Sequence, residues 1–244
     1  MQPQDDLTRP AHADHDDDPW AMYYVVRSDR PLSLGQAMAL GGAGSVACAD
    51  RFRRSDRWAA NFAAWQAAAH PKVALRANAR LFPGVQALEG SPIATAADPT
   101  ALCLPPRRKS ERERQLIELS PFTAARRPAE VPEPLPGAMI YVIRPGVLKS
   151  MGKAIAQAGH AALDLADQMS AKYAAELARW RADGMPGDLR LADERTWDRL
   201  KAEVDCIVIR DAGYTQVAPG TETVLAIPPG VAQPRLVNDL TRHP

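Results

Sequence analysis

The chain repeats itself once. Tyr24-Val-Val-Arg27 recurs as Tyr141-Val-Ile-Arg144, so Arg27 falls on Arg144 at an offset of 117 residues. Continued without a gap, that offset puts Gly35 on Gly152, Gln36 on Lys153, Leu40 on Gln157 and Ala43 on His160. Trp65 then falls near Trp180, and Leu104-Pro-Pro106 parallels Ile227-Pro-Pro229. Counting back from those proline pairs sets Leu88 on Asp211 and Pro92 on Thr215. A repeated strand–helix pattern means one small α/β unit folded twice. A chain of 244 residues, 46% of them hydrophobic, is long enough to give two such units their cores. Both copies keep the apolar frame. The reactive side chains fall in the second.

In that second copy a strand over Met139–Ile143 leads into a helix beginning near Met151. Lys153, Gln157 and His160 are spaced four and three apart and share one helical face. Ile155, Ala158, Ala162 and Leu163 fall mainly on other faces and pack on a sheet. The open N–H groups and macrodipole of the first helical turn favour a phosphate there. The helix is expected to run to about Trp180 and to be broken by Gly184–Gly187. A short strand follows at Leu189–Leu191. Asp193 caps a helix over Glu194–Val204 with a stripe of Trp197, Leu200 and Val204. A buried strand, Cys206–Ile209, opens a loop holding Asp211, Gly213 and Thr215. Thr221–Ile227 is the last core strand, stopped by Pro228-Pro229.

In the first copy Met22–Val26 and Lys72–Ala77 read as strands, and residues 91 to 104 as one or two more. Four glycines between Gly35 and Gly44 weaken the intervening helix by roughly 1 kcal/mol each. It is expected to recover only through Asp50–Ala69, anchored by Phe52, Trp58, Phe62 and Trp65. Residues 1–19, rich in Asp, read as a disordered tail. His12 and His15 beside those aspartates have no fixed geometry for a metal. The first copy spans 20–107 and the second 138–244. Between them, 108–137 holds a short helix, opened by a Ser110–Glu113 capping box, and a proline-rich linker. The basic run Arg107, Arg108, Lys109, Arg112 and Arg114 alternates with glutamates and reads as a solvated helix face.

A net charge of +1 excludes a global field for nucleic acid, so any such contact needs a local patch. Cys48, Cys103 and Cys206 are sparse and lack metal-ligand spacing, which fits the reducing cytoplasm. No apolar run reaches the roughly 18 residues of a membrane span, and the acidic N-terminus is unlike a signal peptide.

Two motifs of the second copy, in order, carry a resemblance. They are Met151-Gly-Lys153-Ala-Ile-Ala-Gln157-Ala-Gly-His160 and Ile209-Arg-Asp211-Ala-Gly213-Tyr-Thr215-Gln-Val-Ala-Pro-Gly220-Thr-Glu-Thr223. Together they resemble the type 2 peptidyl-tRNA hydrolases over about residues 138–230, and more weakly over 21–106. The resemblance implies a compact α/β domain with a four-stranded mixed sheet flanked by helices. It implies hydrolysis of the ester joining a peptide to tRNA, with no cofactor and no metal. It assigns function to Lys153, His160, Asp211 and Thr215. In one departure, Gly146 stands where the family usually has Asp, while the first copy keeps Asp29. Family members dimerise, so the duplicated chain is expected to act as its own pseudo-dimer or to form a homodimer.

Ester cleavage needs a placed water, a base, and help for the developing oxyanion. Asp211, just past a strand end, is suited to orient or deprotonate water, directly or through His160. Thr215 holds that water or Asp211, and Gly213 lets the backbone bend between them. Lys153 serves a phosphate or the oxyanion as a point charge. Gln157 supplies an amide, and Arg144, Lys149 and Arg210 extend a basic rim toward tRNA. Two other readings share these residues: a tRNA-binding module without turnover, and a structural or partner-binding protein.

Overall fold

The structure is a computed structural model that describes residues 17–94, 99–123, 136–148, 150–212, 217–231 and 235–243. Lys149, Gly213 and Thr215 lie outside them, as do most of the acidic tail and of the proline-rich linker.

The first unit opens with β1 (Trp20–Arg27), α1 (Leu34–Phe52), α2 (Ala59–Ala67) and β2 (Lys72–Ala77). It continues with α3 (Phe82–Gln86), β3 (Ser91–Ala94), β4 (Pro99–Arg108), α4 (Arg114–Ile117) and β5 (Ser120–Pro121). The second unit opens with β6 (Met139–Ile143), α5 (Met151–Gln168), α6 (Ala174–Ala182) and β7 (Gly187–Leu191). It ends with α7 (Glu194–Glu203), β8 (Ile207–Arg210), β9 (Glu222–Ile227), α8 (Arg235–Asn238) and β10 (Thr241–Arg242).

The first sheet runs β3-β4-β1-β2-β5 and the second β8-β9-β6-β7-β10. In both, the first strand pairs parallel with the second and antiparallel with the penultimate long strand. The fold is thus α/β with two mixed sheets of one order, five strands each rather than four. The extra members, β5 and β10, pair over two residues each, too short for any alternation to show in sequence.

The sheets enclose α1 and α5, which pack on each other and share one large core with Tyr24 of β1 and Tyr141 of β6. Each helix also reaches the other unit, α1 touching β7 and α5 touching β2. The outer face of the first sheet is covered by Phe82, Val85 and Leu116, that of the second by Trp197, Leu200 and Val237.

The close approach of α1 and α5 explains the glycines. Gly41, Gly42 and Gly44 sit inside a continuous α1, not in a weakened stretch. A Cβ on Gly41 would collide with the Ile155 backbone, one on Gly42 with the Tyr141 ring, and one on Gly159 with the Tyr24 hydroxyl. Gly42 and Gly159 are repeat equivalents, as are Tyr24 and Tyr141, so the same tyrosine-on-glycine contact occurs twice across the unit boundary. The propensity lost is offset by backbone proximity that any side chain would forbid.

Other expectations change. The helix begun at α5 stops at Gln168, and Trp180 belongs to the separate α6. Trp65 and Trp180 do match: each indole N–H donates to a proline carbonyl six residues on, at 2.7 and 2.8 Å. Ser110 caps no helix; its N–H and hydroxyl donate to Asp18 at 2.6 and 2.7 Å, fixing the end of the supposed tail. Arg107 is no solvated helix residue either. It lies buried in β4 against Trp58 and Glu113. Among the described residues no helix is long and apolar enough to cross a membrane, and the three cysteines are unpaired.

Candidate active site

Ser150 opens α5 in extended conformation, its hydroxyl accepting from the Lys153 N–H at 3.3 Å. The Gly152 N–H donates to Phe122 O of the first unit at 2.9 Å. Two first-turn amides are therefore already engaged, which corrects the expectation of an open phosphate cradle there. What remains at that end is the Lys153 side chain, and it turns inward.

Lys153 Nζ lies 2.8 Å from Asp211 Oδ2, with the two side chains only 5% and 6% exposed. Gln157, one turn further along α5, donates its Nε2–H to the same Oδ2 at 2.8 Å. Its Oε1 lies 2.7 Å from the hydroxyl of Thr223, which donates to it. The amide is thus held from both ends and its orientation is set. Asp211 is fixed through its backbone as well: its N–H donates to Thr221 O at 2.9 Å, and its C=O accepts from Gly220 N at 2.7 Å. The loop holding it is closed at its base, with Gly220 at φ +79°.

Thr223 was not singled out from sequence. In β9 the pairing steps from Ile209↔Val224 to Arg210↔Glu222, which leaves Thr223 as the extra residue of a bulge. The bulge aims Thr223 at Gln157 and sends Glu222 to the other face, where it meets Trp197 at 2.8 Å and Lys201 at 2.9 Å. The first unit has the same bulge, between Ile93 and Ala94 of β3, opposite Thr100. A signal was present: Thr100 and Thr223 stand at the same distance before their proline pairs.

The strand register also corrects the repeat alignment. Ser91 pairs with Cys103 as Ile207 pairs with Ala226. Leu88 and Pro92 are therefore not the counterparts of Asp211 and Thr215. β3 ends at Ala94 and β4 begins at Pro99, whereas β8 ends at Arg210 and β9 begins only at Glu222, so the first unit lacks the length of chain that carries those groups.

His160 does not join the Lys153–Asp211 pair. Its Nδ1 lies 3.1 Å from Lys72 Nζ at the start of β2, and its ring meets His70 edge-on at 4.8 Å. Lys72 also stands over the Trp65 ring at 4.7 Å. His70 Nδ1 lies 3.9 Å from Asp164, one turn beyond His160 on α5. The first unit thus walls the second unit's helix face with Phe122, His70 and Lys72. None of the three was predicted, because no local pattern links residues 88 apart. Arg144 and Arg210 go to the Glu222 corner: Arg144 donates to Glu222 O at 3.1 Å, and Arg210 pairs with its carboxylate at 2.8 Å. Gly146 sits at φ +80°, in the left-handed region.

Burial drives this second cluster toward neutrality. It pushes Lys72 down to about 7 and His70 down to about 4, lowers His160, and raises Asp164. Between about pH 7 and the ordinary 10.5 of lysine, the unfolded chain holds a proton at Lys72 that the folded chain has lost. Stability therefore rises with pH over that window, by up to ~1.36 kcal/mol per pH unit. Below about 7 the burial penalty acts in full. Wild type should gain at least ~1 kcal/mol on Lys72→Met between pH 7 and pH 9.5 in urea unfolding; parallel profiles would show that Lys72 keeps an ordinary proton affinity.

The fold and site define a two-unit α/β protein with a buried, charge-paired polar array on the second unit, on a helix whose neighbouring face is walled by the first. The sequence model of the family described as peptidyl-tRNA hydrolase PTH2 matches residues 138–243. The chain is 32% identical to the peptidyl-tRNA hydrolase of Methanocaldococcus jannaschii over 113 residues, 43% of this chain and 95% of that one. It is 35% identical to that of Pyrobaculum aerophilum, over 42% of this chain and 91% of the relative. It is also 36% identical to the human protein named peptidyl-tRNA hydrolase 2, mitochondrial, over 43% of this chain and 61% of the relative. This chain belongs to the peptidyl-tRNA hydrolase PTH2 family. It spans about six tenths of the length of the mammalian relatives it matches.

Proposed function

We propose that the second unit hydrolyses the ester between peptide and tRNA, and that the first is a degenerate copy serving as its in-chain partner. The observation that carries this reading is the buried array of Lys153, Asp211, Gln157 and Thr223, in the segment the family model matches. Lys153 and Gln157 hold the Asp211 carboxylate in one orientation, ready to align a water or take its proton. The proton then passes to the departing ribose oxygen, and the lysine charge eases the oxyanion on the ester carbon. Thr215 and Gly213 complete the loop side of the site in this proposal. Lys149, with Arg144 and Arg210 at the Glu222 corner, is proposed to meet tRNA phosphates, so binding weakens as salt rises.

His160 takes a different part from Asp211. The Lys72 amine engages Nδ1, so Nε2 is the ring nitrogen left to act toward a substrate, as donor or acceptor according to the tautomer. Packing of α1 on α5 gives the second unit a partner within its own chain, which supports an intramolecular pseudo-dimer over a homodimer. The free thiols support a reducing compartment such as the cytoplasm.

The test is deacylation of N-acetyl-aminoacyl-tRNA. Wild type should release the acyl group. Asp211→Asn should slow release by about 10²–10⁴-fold, His160→Ala should slow it less, and Gln36→Ala should leave it unchanged. Binding without release would favour a tRNA-binding module, and neither would favour a structural role.

A further inference from the structure

The repeat places an equivalent helix face on the first unit, and there the chemistry is inverted. In place of Lys153, Gln157 and His160, α1 presents Gln36, Leu40 and Ala43. The facing wall belongs to the second unit. By strand pairing, Gly187 stands where β2 has Lys72, since Met139 pairs with Gly187 as Met22 pairs with Lys72. One consequence is steric. On the hydrolytic side β2 brings a lysine to α5; here the glycine lets α1 pack directly on β7, where an added Cβ would meet Ala39 and the Tyr141 ring at 2.8 Å. Beside that contact lies a cavity of about 390 Å³ between the units, floored by Leu40, Ala43 and Leu189 and reaching the bulge residue Thr100. That volume lies within the ~300–1,000 Å³ of small-molecule sites, which are mostly apolar with a few placed polar groups.

The charged groups lie together. Arg242 and Asp188 are the charged residues lining the cavity. Asp188 is shared, with Arg242 at 3.1 Å and Arg190 at 2.7 Å. Among the described residues, two guanidiniums on one carboxylate leave an excess positive charge at that rim, in a wall that also holds Gln36, Thr100 and His243 and is otherwise apolar. We propose that this cavity binds a small amphiphilic anion, its apolar body between α1 and β7 and its carboxylate, sulfonate or phosphate head at Arg242. This site is independent of the hydrolytic reading: it uses none of Lys153, Asp211, Gln157 or His160.

The probe is anilinonaphthalene sulfonate, an aromatic body with one anionic head, titrated into the full-length folded protein and followed by fluorescence. A neutral analogue, phenylnaphthylamine, is the control. Wild type should bind one equivalent of the anionic dye saturably. Thr100→Phe, which fills the cavity from a half-exposed strand position, should weaken both dyes by about tenfold or more. Arg242→Gln should weaken the anionic dye by about fivefold and the neutral one by less than about twofold. Lys72→Met, which alters the wall of the hydrolytic side, should change neither. Absence of saturable binding, or equal effects of Arg242→Gln on both dyes, would overturn the proposal. So would loss on Lys72→Met, because the dye would then sit on the hydrolytic side. If Thr100→Phe fails to fold, the Arg242→Gln comparison still decides.

Discussion

Lys153→Met should cost about 3–5 kcal/mol of stability, and adding Asp211→Asn should return most of that loss without restoring the proposed hydrolysis. Both side chains of the pair are almost wholly buried. Taking two charges out of water is expensive, and their attraction only roughly offsets the cost. Removing one partner leaves the other charge uncompensated, which is the large effect. Neutralising Asp211 as well removes that orphan charge. Asn is chosen because its side-chain oxygen still accepts from Gln157 Nε2, so the amide is not left unsatisfied in its turn. Urea unfolding of the wild type, the two single variants and the double variant gives the cycle. A cost under ~1 kcal/mol for Lys153→Met would mean that the pair is solvated, and a double variant as unstable as the summed singles would mean no coupling. The same four proteins separate folding from chemistry: the double variant should be stable and inactive.

The second large effect runs against local propensity. Gly41→Ala adds a better helix former to the middle of α1, and in an exposed helix it would stabilise by about 1 kcal/mol. Here it should destabilise by about 3 kcal/mol, at the upper end of overpacking costs. The new methyl group would meet the backbone of Ile155 on α5, and a backbone has no rotamer through which to yield. The two helices would have to separate, with loss of packing in the core both units share. Gly84→Ala is the control. Its added Cβ would meet only Gln115 Cγ, at 3.7 Å, so it should change stability by less than ~1 kcal/mol. A stabilised Gly41→Ala protein would mean that α1 and α5 do not approach as described.

The match of Tyr24 to Tyr141 and of Gly35 to Gly152 was legible because strands and helices impose short periods on their own residues. The same local rule put Lys153, Gln157 and His160 on one face of α5. It also misled, since four glycines in α1 look like a weak helix to any rule that sees only neighbours. The capping box read at Ser110 failed for a related reason: a nearby Asp18, remote in sequence, took the hydroxyl.

The sequence by itself determined that one strand–helix pattern recurs, which half keeps the polar side chains, and that Lys153 and Gln157 lie on one helical face. Only the tertiary structure decided what each of those groups meets. It gave Asp211 to Lys153 and Gln157, and gave His160 to Lys72 of the other unit. Periodicity is set by bonds a few residues apart, so it is written locally. The partner across a unit boundary depends on how two helices and two sheets come together. That is fixed by absent side chains such as Gly41 and by a one-residue bulge at Thr223, and neither of these names its partner in the chain.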